Sequence, residues 1–317
     1  MREEPLQIGA EGWAPDVYRR LQEVASELSD TEAPVAVFDF DNTLIRGDIG
    51  ELFSHYLIDE LAYRYDLDAF WELIDEADGR KHIRELTGRV LALDPAERRQ
   101  SPDYRQYLAE MGAVYGRKYA REGKAACYEW AVRLHVGMRP GQIHDLTQRA
   151  VDRELARPLE VEERRTSRGE TVRISRGIRR HVQMHELSAA MERAGFEVWV
   201  VSATNQWTVE AFAERAFGVP RARVLGNRVA RGEDGVLTDK TLAPVLFREG
   251  KVEIIEREIG RQPAVVFGDS DTDLDMLRHA SHLAVLVDRG EEMMREQARE
   301  HGFAVQPQDD FDHDRGA

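Results

Sequence analysis

The stretch "VAVFDFDNTLIRGDIGE", residues 35–51, places two aspartates one residue apart, directly after a run of apolar residues. Side chains alternate between the two faces of a strand, so Asp39 and Asp41 are expected to point the same way at its carboxyl end. Like charges that close raise each other's pKa and cost stability. A strand that ends in this pair therefore indicates a site where chemistry, rather than packing, requires the carboxylates.

The composition is that of a globular protein, and 317 residues are enough for one large domain or two ordinary ones. The formal net charge of −15 argues against a nucleic-acid partner and against an anionic membrane surface. The single Cys127 excludes an internal disulfide. No apolar run is long enough to span a bilayer, so we expect no membrane association and a cytoplasmic location.

Unbroken apolar runs recur along the chain, at 35–38, 198–203, 264–270 and 283–287, and helical patterns lie between the later ones. Runs of this kind are typical of strands that are buried on both faces. Alternating strands and helices predict an α/β fold, a doubly wound parallel sheet of the Rossmann-like type. Ligands of such sheets bind beyond the carboxyl ends of the strands, where Asp39 and Asp41 lie.

About 150 residues of helix-forming, charged sequence separate the first two apolar runs, which is far longer than an ordinary crossover. We therefore predict a catalytic core formed by residues 1–43 and 180–317, and an inserted, all-helical cap domain formed by residues 44–179. The arginine-rich end of the insert, 164–180, is predicted to be a hairpin or a linker. The acidic tail, 309–317, is predicted to be disordered.

A second acidic cluster, "GDSDTDLDML" at 268–277, also follows an apolar run directly. Its spacing partly matches a calcium-binding loop, but Leu274 lies where such a loop needs glycine, and Ala280 where it needs a bidentate glutamate. The calcium interpretation therefore fails. Two sets of carboxylates at the ends of two buried strands instead predict a phosphoryl-transfer site with a bound cation.

Four motifs stand in order along the chain: "DFDNT" (39–43), "VVSAT" (200–204), "EGK" (249–251) and "GDSDTD" (268–273). The first of them directly follows the apolar run 35–38. Together they resemble the motifs of the haloacid dehalogenase superfamily, specifically its phosphatase branch. The position of Lys251 strengthens the resemblance, because the chain has only five lysines. The helical insert directly after the first motif resembles the cap of phosphoserine and phosphorylcholine phosphatases.

The resemblance implies a role for each catalytic residue. Asp39 would attack phosphorus and form an aspartyl-phosphate. Asp41 would protonate the leaving oxygen and then act as the base for the hydrolytic water. Ser202 would donate a hydrogen bond to a phosphoryl oxygen, and Lys251 would neutralise charge on the phosphoryl group and on Asp39.

The resemblance also implies Mg²⁺, a hard cation that prefers oxygen ligands. Its ligands would be Asp39, the backbone carbonyl of Asp41, and Asp269. Asp273 would act from behind these ligands, orienting water and Lys251.

Four residues are expected on the substrate side: Thr43, Asp48, Ala203 and Trp207. Ala203 and Thr204 stand where phosphoserine phosphatases more typically have two glycines. Asp48 lies nine residues after Asp39, where the resemblance implies a carboxylate for an ammonium group, and it also suits the start of the next helix. Trp207 could offer an aromatic face to a quaternary ammonium or pack its own helix.

The function predicted from these residues is Mg²⁺-dependent hydrolysis of a small phosphomonoester, with an amino-alcohol phosphate such as phosphocholine or phosphoethanolamine as the first expectation. Phosphoserine and polyol or sugar phosphates are the alternative substrates. A receiver-like signalling module, which holds a phosphoryl group on an aspartate, is the alternative from another class. Asp41 argues against a dehalogenase, because a halide leaves without a proton.

Overall fold

The computed structural model describes residues 6–315. In that part of the chain the α-helices are, in order, α1 (Pro15–Glu27), α2 (Ile49–Asp59), α3 (Asp68–Glu72), α4 (Arg80–Ala92), α5 (Pro95–Arg98), α6 (Pro102–Glu122), α7 (Lys124–Arg133), α8 (Pro140–Ala156), α9 (Val182–Arg193), α10 (Gln206–Phe217), α11 (Glu249–Ile254), α12 (Leu274–Arg278) and α13 (Glu292–His301). The strands are β1 (Val35–Phe38), β2 (Ile45–Arg46), β3 (Glu160–Arg165), β4 (Thr171–Arg176), β5 (Arg179–His181), β6 (Glu197–Asn205), β7 (Val224–Arg231), β8 (Leu237–Leu242), β9 (Val265–Gly268), β10 (Leu283–Asp288), β11 (Ala304–Pro307) and β12 (His313–Asp314).

The chain divides into two compact units. The first, which we call the core, comprises the described residues up to Ile49, then Ile178–Asn227, then those from Pro244 onward. The second unit comprises Gly50–Gly177 and Arg228–Ala243. The sequence-based division assigned residues 228–243 to the core, whereas here the second half of β7 and all of β8 belong to the second unit.

The sheet of the core has the strand order β11-β10-β9-β1-β6-β7, and all neighbouring pairs in it are parallel. The four residues of β1, VAVF, are all apolar, so the strand can lie in the middle of the sheet, where both of its faces are buried. From β1 the chain builds β6 and β7 on one side and returns to build β9, β10 and β11 on the other. This reversal of strand order beside β1 creates the crevice in which open α/β sheets bind ligands.

The apolar runs predicted as strands are β1, β6, β9 and β10, and the predicted α/β class with a parallel sheet is confirmed. One face of this sheet is covered by three helical elements: α11, the π-helical segment that follows it (Ile255–Ile259) and α12. Their buried side chains Ile254, Ile255, Leu274 and Leu277 share a core cluster with Val37 and Val266 of the sheet. Burying such side chains contributes about 1.5–3 kcal/mol each and holds the strand ends in place.

The second unit contains most of the helices of the inserted segment and two pairs of strands. Strands β3 and β4 pair in antiparallel register from Glu160↔Arg176 to Arg165↔Thr171, so the arginine-rich stretch is a hairpin. Strand β8 pairs with β7 in the same antiparallel sense. The unit is therefore predominantly helical, with these strands added to the helices that the sequence predicted.

The prediction of a disordered tail is wrong for residues 309–315, and residues 316–317 lie outside the described residues. Strand β12 pairs with β5, and β5 pairs with β2, in a three-stranded antiparallel sheet of the core. Specific ion pairs hold the tail: Asp314 lies 2.7 Å from Arg180, and Asp309 lies 2.8 Å from Arg46. An acidic composition alone predicts disorder. The prediction failed because local sequence does not show that distant arginines pair with these acidic residues.

Among residues 6–315, no helix combines the length and the apolar content that crossing a membrane requires.

Candidate active site

The carboxyl ends of the central strands bring four polar side chains to one edge of the sheet. Asp39 follows β1, Ser202 lies near the end of β6, Asp269 follows β9 and Arg289 follows β10. Because these strands run parallel, their carboxyl ends lie at the same edge. Asp39, Ser202 and Asp269 are each at most 5% exposed, so the edge is a buried polar site rather than a solvated surface.

Lys251 connects two of the carboxylates. Its Nζ atom lies 2.7 Å from Asp39 Oδ1 and 2.6 Å from Asp273 Oδ1, and it also donates to the carbonyl oxygen of Val201 at 3.0 Å. These three acceptors use all three donors of the ammonium group. Lys251 is completely buried, and although burial opposes its charge, Asp273 and Asp39 outweigh that effect and raise the pKa of Lys251.

The loop before Lys251 is shaped to deliver it. A side chain on Gly250 would collide with the carbonyl oxygen of Val245, which explains the glycine of "EGK". The buried Asn227 side chain accepts a hydrogen bond from the Leu246 backbone at 2.8 Å and donates one to the carbonyl of Ala203 at 2.6 Å. Asn227 therefore ties this loop to the end of β6.

Asp273 is held by donors on both of its oxygens. Oδ1 accepts from Lys251, and Oδ2 accepts from the backbone amides of Asp269 and Ser270, both at 3.1 Å. A Cβ atom on Gly268 would lie 2.5 Å from the Cβ of Asp273, so this approach requires glycine. Asp273 thus fixes both Lys251 and the turn that carries Asp269.

Asp41 is oriented by three donors. The backbone N–H of Ile49 donates to Oδ1 at 2.6 Å, while the hydroxyls of Thr204 and Ser202 contact Oδ2 at 2.8 and 3.4 Å. Ser202 Oγ also accepts from the backbone amide of Thr204 at 3.1 Å. Ser202 therefore lies beside Asp41, at the edge where a phosphoryl oxygen is expected.

Three carboxyl groups in this site have raised pKa values. Burial, with the nearby charge of Asp273, raises the pKa of Asp39 to about 7. Burial, with the charges of Asp48 and Asp39, raises the pKa of Asp41, and burial with the charges of Asp273 and Asp39 raises that of Asp269. Ionisation of these crowded, buried carboxyl groups is therefore unfavourable, which is the condition in which a bound cation is favourable.

The predicted substrate-side residues are distributed around Asp39. Thr43 is buried, and its hydroxyl donates to Asp39 Oδ2 at 3.3 Å. Asp48 is half-buried immediately before α2. Ala203 is half-buried in β6, and Trp207, in the first turn of α10, is only 2% exposed. The burial of Trp207 favours the interpretation that its ring packs the helix.

Sequence reasoning missed two residues of the site. Arg289 donates from Nη1 to Asp269 Oδ2 at 2.9 Å, and Thr204 contacts Asp41. Arg289 directly follows the end of β10, as Asp39 directly follows β1, so its position after a strand was the available signal. We call the set Asp39, Asp41, Asp269, Asp273, Lys251 and Arg289 the Asp39 site.

The Asp39 site has donors that suit a divalent cation. Asp39, Asp269 and Asp273 each bring a carboxylate oxygen to within 4.8 Å of the others. Carboxylate oxygens are the hard ligands that Mg²⁺ prefers. Because both oxygens of Asp273 already accept several hydrogen bonds, Asp39 and Asp269 fit the role of direct ligands better than Asp273.

Comparison with known proteins agrees with this architecture. The sequence matches the haloacid dehalogenase-like hydrolase family over residues 83–278, a match that includes Ser202, Lys251, Asp269 and Asp273 and begins after Asp39. The chain therefore belongs to the haloacid dehalogenase-like hydrolases, which confirms the predicted superfamily and the prediction of an enzyme that catalyses hydrolysis.

Two solved structures resemble most of the chain. A conserved protein of unknown function from Anaerococcus prevotii is 23% identical, covers 94% of this chain and 93% of its own, and superposes with a TM-score of 0.82. A protein of unknown function from Bordetella pertussis is 19% identical, covers 88% of this chain and 100% of its own, and has a TM-score of 0.56. At these identities they support the fold alone. A search of curated proteins gives no match.

Proposed function

We propose that this hydrolase is a Mg²⁺-dependent phosphatase that cleaves a small phosphomonoester through an aspartyl-phosphate on Asp39. The observation that carries the proposal is the Lys251 ammonium, which lies 2.7 Å from Asp39 within a cluster of buried carboxylates. A nucleophilic carboxylate must approach an anionic phosphoryl group, and it needs a fixed positive charge beside it to do so.

The proposed reaction assigns each step to a residue of this chain. A carboxylate oxygen of Asp39 attacks phosphorus as the bond from phosphorus to the ester oxygen breaks. Asp41 gives its proton to the departing oxygen, and its carboxylate then removes a proton from the water that hydrolyses the aspartyl-phosphate. Ser202 and Lys251 stabilise the charge on the phosphoryl oxygens.

Asp39 and Asp269, with the backbone carbonyl of Asp41, are the proposed Mg²⁺ ligands. When bound, Mg²⁺ supplies positive charge that lets the phosphoryl group and the carboxylates come together. Asp273 keeps Lys251 and the turn at Asp269 in place, and the contact from Arg289 restricts the orientation of the Asp269 carboxylate.

The proposed substrate is an amino-alcohol phosphate such as phosphocholine or phosphoethanolamine. Asp48 supports this proposal because it is close enough for its charge to raise the pKa of Asp41, and a carboxylate there would attract an ammonium group. Phosphoserine and polyol or sugar phosphates are the competing substrates. For the polyol and sugar phosphates, which carry no ammonium group, we expect a smaller response to the substitution Asp48→Asn.

The experiment is phosphate release from phosphocholine, phosphoethanolamine, phosphoserine, glycerol phosphate and a sugar phosphate, with Mg²⁺ and with a chelator. We expect release that requires Mg²⁺ and is lost in Asp39→Asn. The matched control is Asp16→Asn, because the Asp16 side chain is 60% exposed on α1. Equal activity of the Asp39→Asn variant and the wild type would contradict the proposal.

A further inference from the structure

Thr204 contacts the group that the proposed function uses as its proton donor. Its hydroxyl oxygen lies 2.8 Å from Asp41 Oδ2, whereas that of Ser202 lies 3.4 Å from the same atom. Thr204 is thus the closer of the two hydroxyls, at a normal hydrogen-bond distance. Its side chain is half-buried at the carboxyl edge of the sheet.

The backbone of β6 is irregular at this position. The register between β6 and β7 shifts between Val201 and Asn205, so Ser202, Ala203 and Thr204 form an irregular stretch in the ladder. Such irregularities re-aim side chains next to functional sites. The hydrogen bond from Asn227 to the carbonyl of Ala203 fixes the stretch, and Ser202 and Thr204, two residues apart, both reach Asp41.

The two oxygens of Asp41 have different partners. Oδ1 accepts from the backbone N–H of Ile49, which can only donate, so Oδ1 remains an acceptor. The partners of Oδ2 are hydroxyls, which can accept as well as donate, so Oδ2 is the oxygen whose surroundings suit the proton that Asp41 delivers. The hydroxyl of Thr204 can accept from the protonated form of Oδ2 or donate to the ionised form, because it rotates freely.

We propose that Thr204 is a positioning residue for Asp41, holding Oδ2 in the direction of the leaving oxygen before and after proton transfer. This inference rests on the proposed function. A positioning role and a purely structural role of Thr204 predict different effects on different substrates. A positioning role matters most for esters whose leaving oxygen needs a proton, and least for esters whose leaving group departs as a stable anion.

The test compares two esters in the Thr204→Val variant with Mg²⁺ present. Phosphoethanolamine has an alkoxide leaving group that needs the proton, whereas 4-nitrophenyl phosphate has a leaving group that departs without one. The measured quantity is kcat/KM, which reports the steps up to cleavage of the ester and not the later hydrolysis of the aspartyl-phosphate. If phosphoethanolamine is a poor substrate, glycerol phosphate serves as the alkyl ester.

We expect Thr204→Val to lower kcat/KM about tenfold for the alkyl ester and less than about threefold for the aryl ester. Thr204→Ser, which keeps the hydroxyl, should recover the alkyl activity to within about threefold of the wild type. The ratio of the two esters does not depend on how much of the variant is folded, so partial misfolding cannot produce the expected result.

Three results would overturn the inference: equal losses on both esters, no loss on the alkyl ester, or a Thr204→Ser variant that behaves like Thr204→Val. A wild type that releases no phosphate in an Asp39-dependent manner would contradict the proposed function and, with it, this inference. Wild-type activity with equal losses in Thr204→Val would leave the proposed function standing and remove the role of Thr204 alone.

Discussion

Two clusters of charged side chains lie in the interior of this protein, one in the core and one in the second unit. The first is the Asp39 site, with four carboxylates and two basic groups. The second surrounds Arg176, whose side chain is 1% exposed. We call it the Arg176 cluster, and its members are Asp59, Glu154, Glu162, Arg153, Arg164 and Arg176.

The two clusters differ in charge balance. In the Arg176 cluster three carboxylates meet three guanidinium groups, with Arg176 Nε 2.8 Å from Glu162 and Arg164 Nε 2.7 Å from Glu162. Burial alone would raise the pKa of Glu162, but the hydrogen bond from Arg164 and the charges of Arg164 and Arg176 outweigh it and lower the pKa to about 2. In the Asp39 site burial raises the pKa of Asp39 to about 7.

The difference distinguishes a cluster whose charges compensate one another from the cluster that we propose to be catalytic. In a balanced set the opposite charges compensate one another without a ligand, whereas an excess of buried carboxylates is tolerated only if something else compensates it. Both clusters are networks of buried charge, so the presence of ion pairs alone does not identify an active site. In the Asp39 site the carboxyl groups outnumber the basic groups, and this imbalance is what supports the proposed catalytic role.

The largest expected effect is that of Lys251→Met. The variant removes the positive charge beside Asp39, and we expect kcat to fall by about 10²–10³-fold because the phosphoryl group then faces uncompensated carboxylates. Steady-state phosphate release measures it. Lys240→Met is the matched control, because Lys240 is exposed on β8 and its loss should leave kcat within about twofold. Similar kcat values for the two variants would show that Lys251 does not take part in the reaction.

Arg176→Met tests the other cluster, where the effect should appear in stability. Removing this guanidinium leaves buried carboxylates uncompensated, so we expect the free energy of unfolding to fall by about 3–5 kcal/mol. Urea unfolding followed by circular dichroism measures it. Arg173→Met lies on the same strand with its side chain 69% exposed, and it should cost less than about 0.5 kcal/mol. Equal costs for both variants would mean that the Arg176 cluster contributes no more than a surface pair.

The clusters should also respond differently to pH. The pKa of Asp39 is raised from 3.8 to about 7, so its stabilising effect in metal-free protein is present below about pH 4 and is lost as the pH rises through 7. The pKa of Glu162 is lowered from 4.5 to about 2, so its effect is present above pH 4.5 and lost only in acid. Between pH 5.5 and 8 only the Asp39 site should change.

The increase in Tm on adding Mg²⁺ should therefore be larger at pH 8 than at pH 5.5, since the cation offsets the carboxylate repulsion that develops over this range. Thermal unfolding with and without Mg²⁺ at the two pH values measures it, and Asp269→Asn should reduce the increase at pH 8. An increase in Tm that is the same at both pH values would argue against raised pKa values in the site.

The smallest expected effect concerns the tail that the sequence misassigned. The buried Gln308 donates to the carbonyl oxygen of Asn42 at 2.6 Å, and Asn42 has a left-handed backbone with φ of 58°. Gln308→Ala should lower the free energy of unfolding by about 1–2 kcal/mol, because a carbonyl in the loop after Asp41 loses its donor. Gln262→Ala, which removes an exposed bond of the same kind to His279, should cost less than about 0.5 kcal/mol. Equal costs would show that the tail does not support the loop.

The sequence predicted the parts of the fold that local pattern determines. The apolar runs of β1, β6, β9 and β10 identified a buried parallel sheet, and residues after their carboxyl ends had to meet at one edge. Asp39, Lys251 and Asp273 do converge as expected. The contacts of Arg289 and Thr204 were not predicted, because they depend on an irregular strand and on side-chain directions that no local pattern encodes.

The ordered tail and strand β8 were missed for a related reason. Strand β12 is two residues of polar sequence. It forms because it pairs with β5, and because Arg180 of β5 donates a hydrogen bond to Asp314. Strand β8 is largely exposed and polar, so it lacks the apolar alternation that indicates a strand. Where stability comes from partners far away in the chain, composition and periodicity carry little information.

The most direct test of the charge imbalance in the Asp39 site is calorimetric titration of the metal-free protein with Mg²⁺ at pH 7, in two buffers of different ionisation enthalpy. We expect one Mg²⁺ per chain and net release of protons, because the raised pKa values of Asp39 and Asp269, the two proposed carboxylate ligands, keep protons on the site that the cation displaces. No binding of Mg²⁺, or binding that releases no protons and is unchanged in Asp269→Asn, would contradict the account.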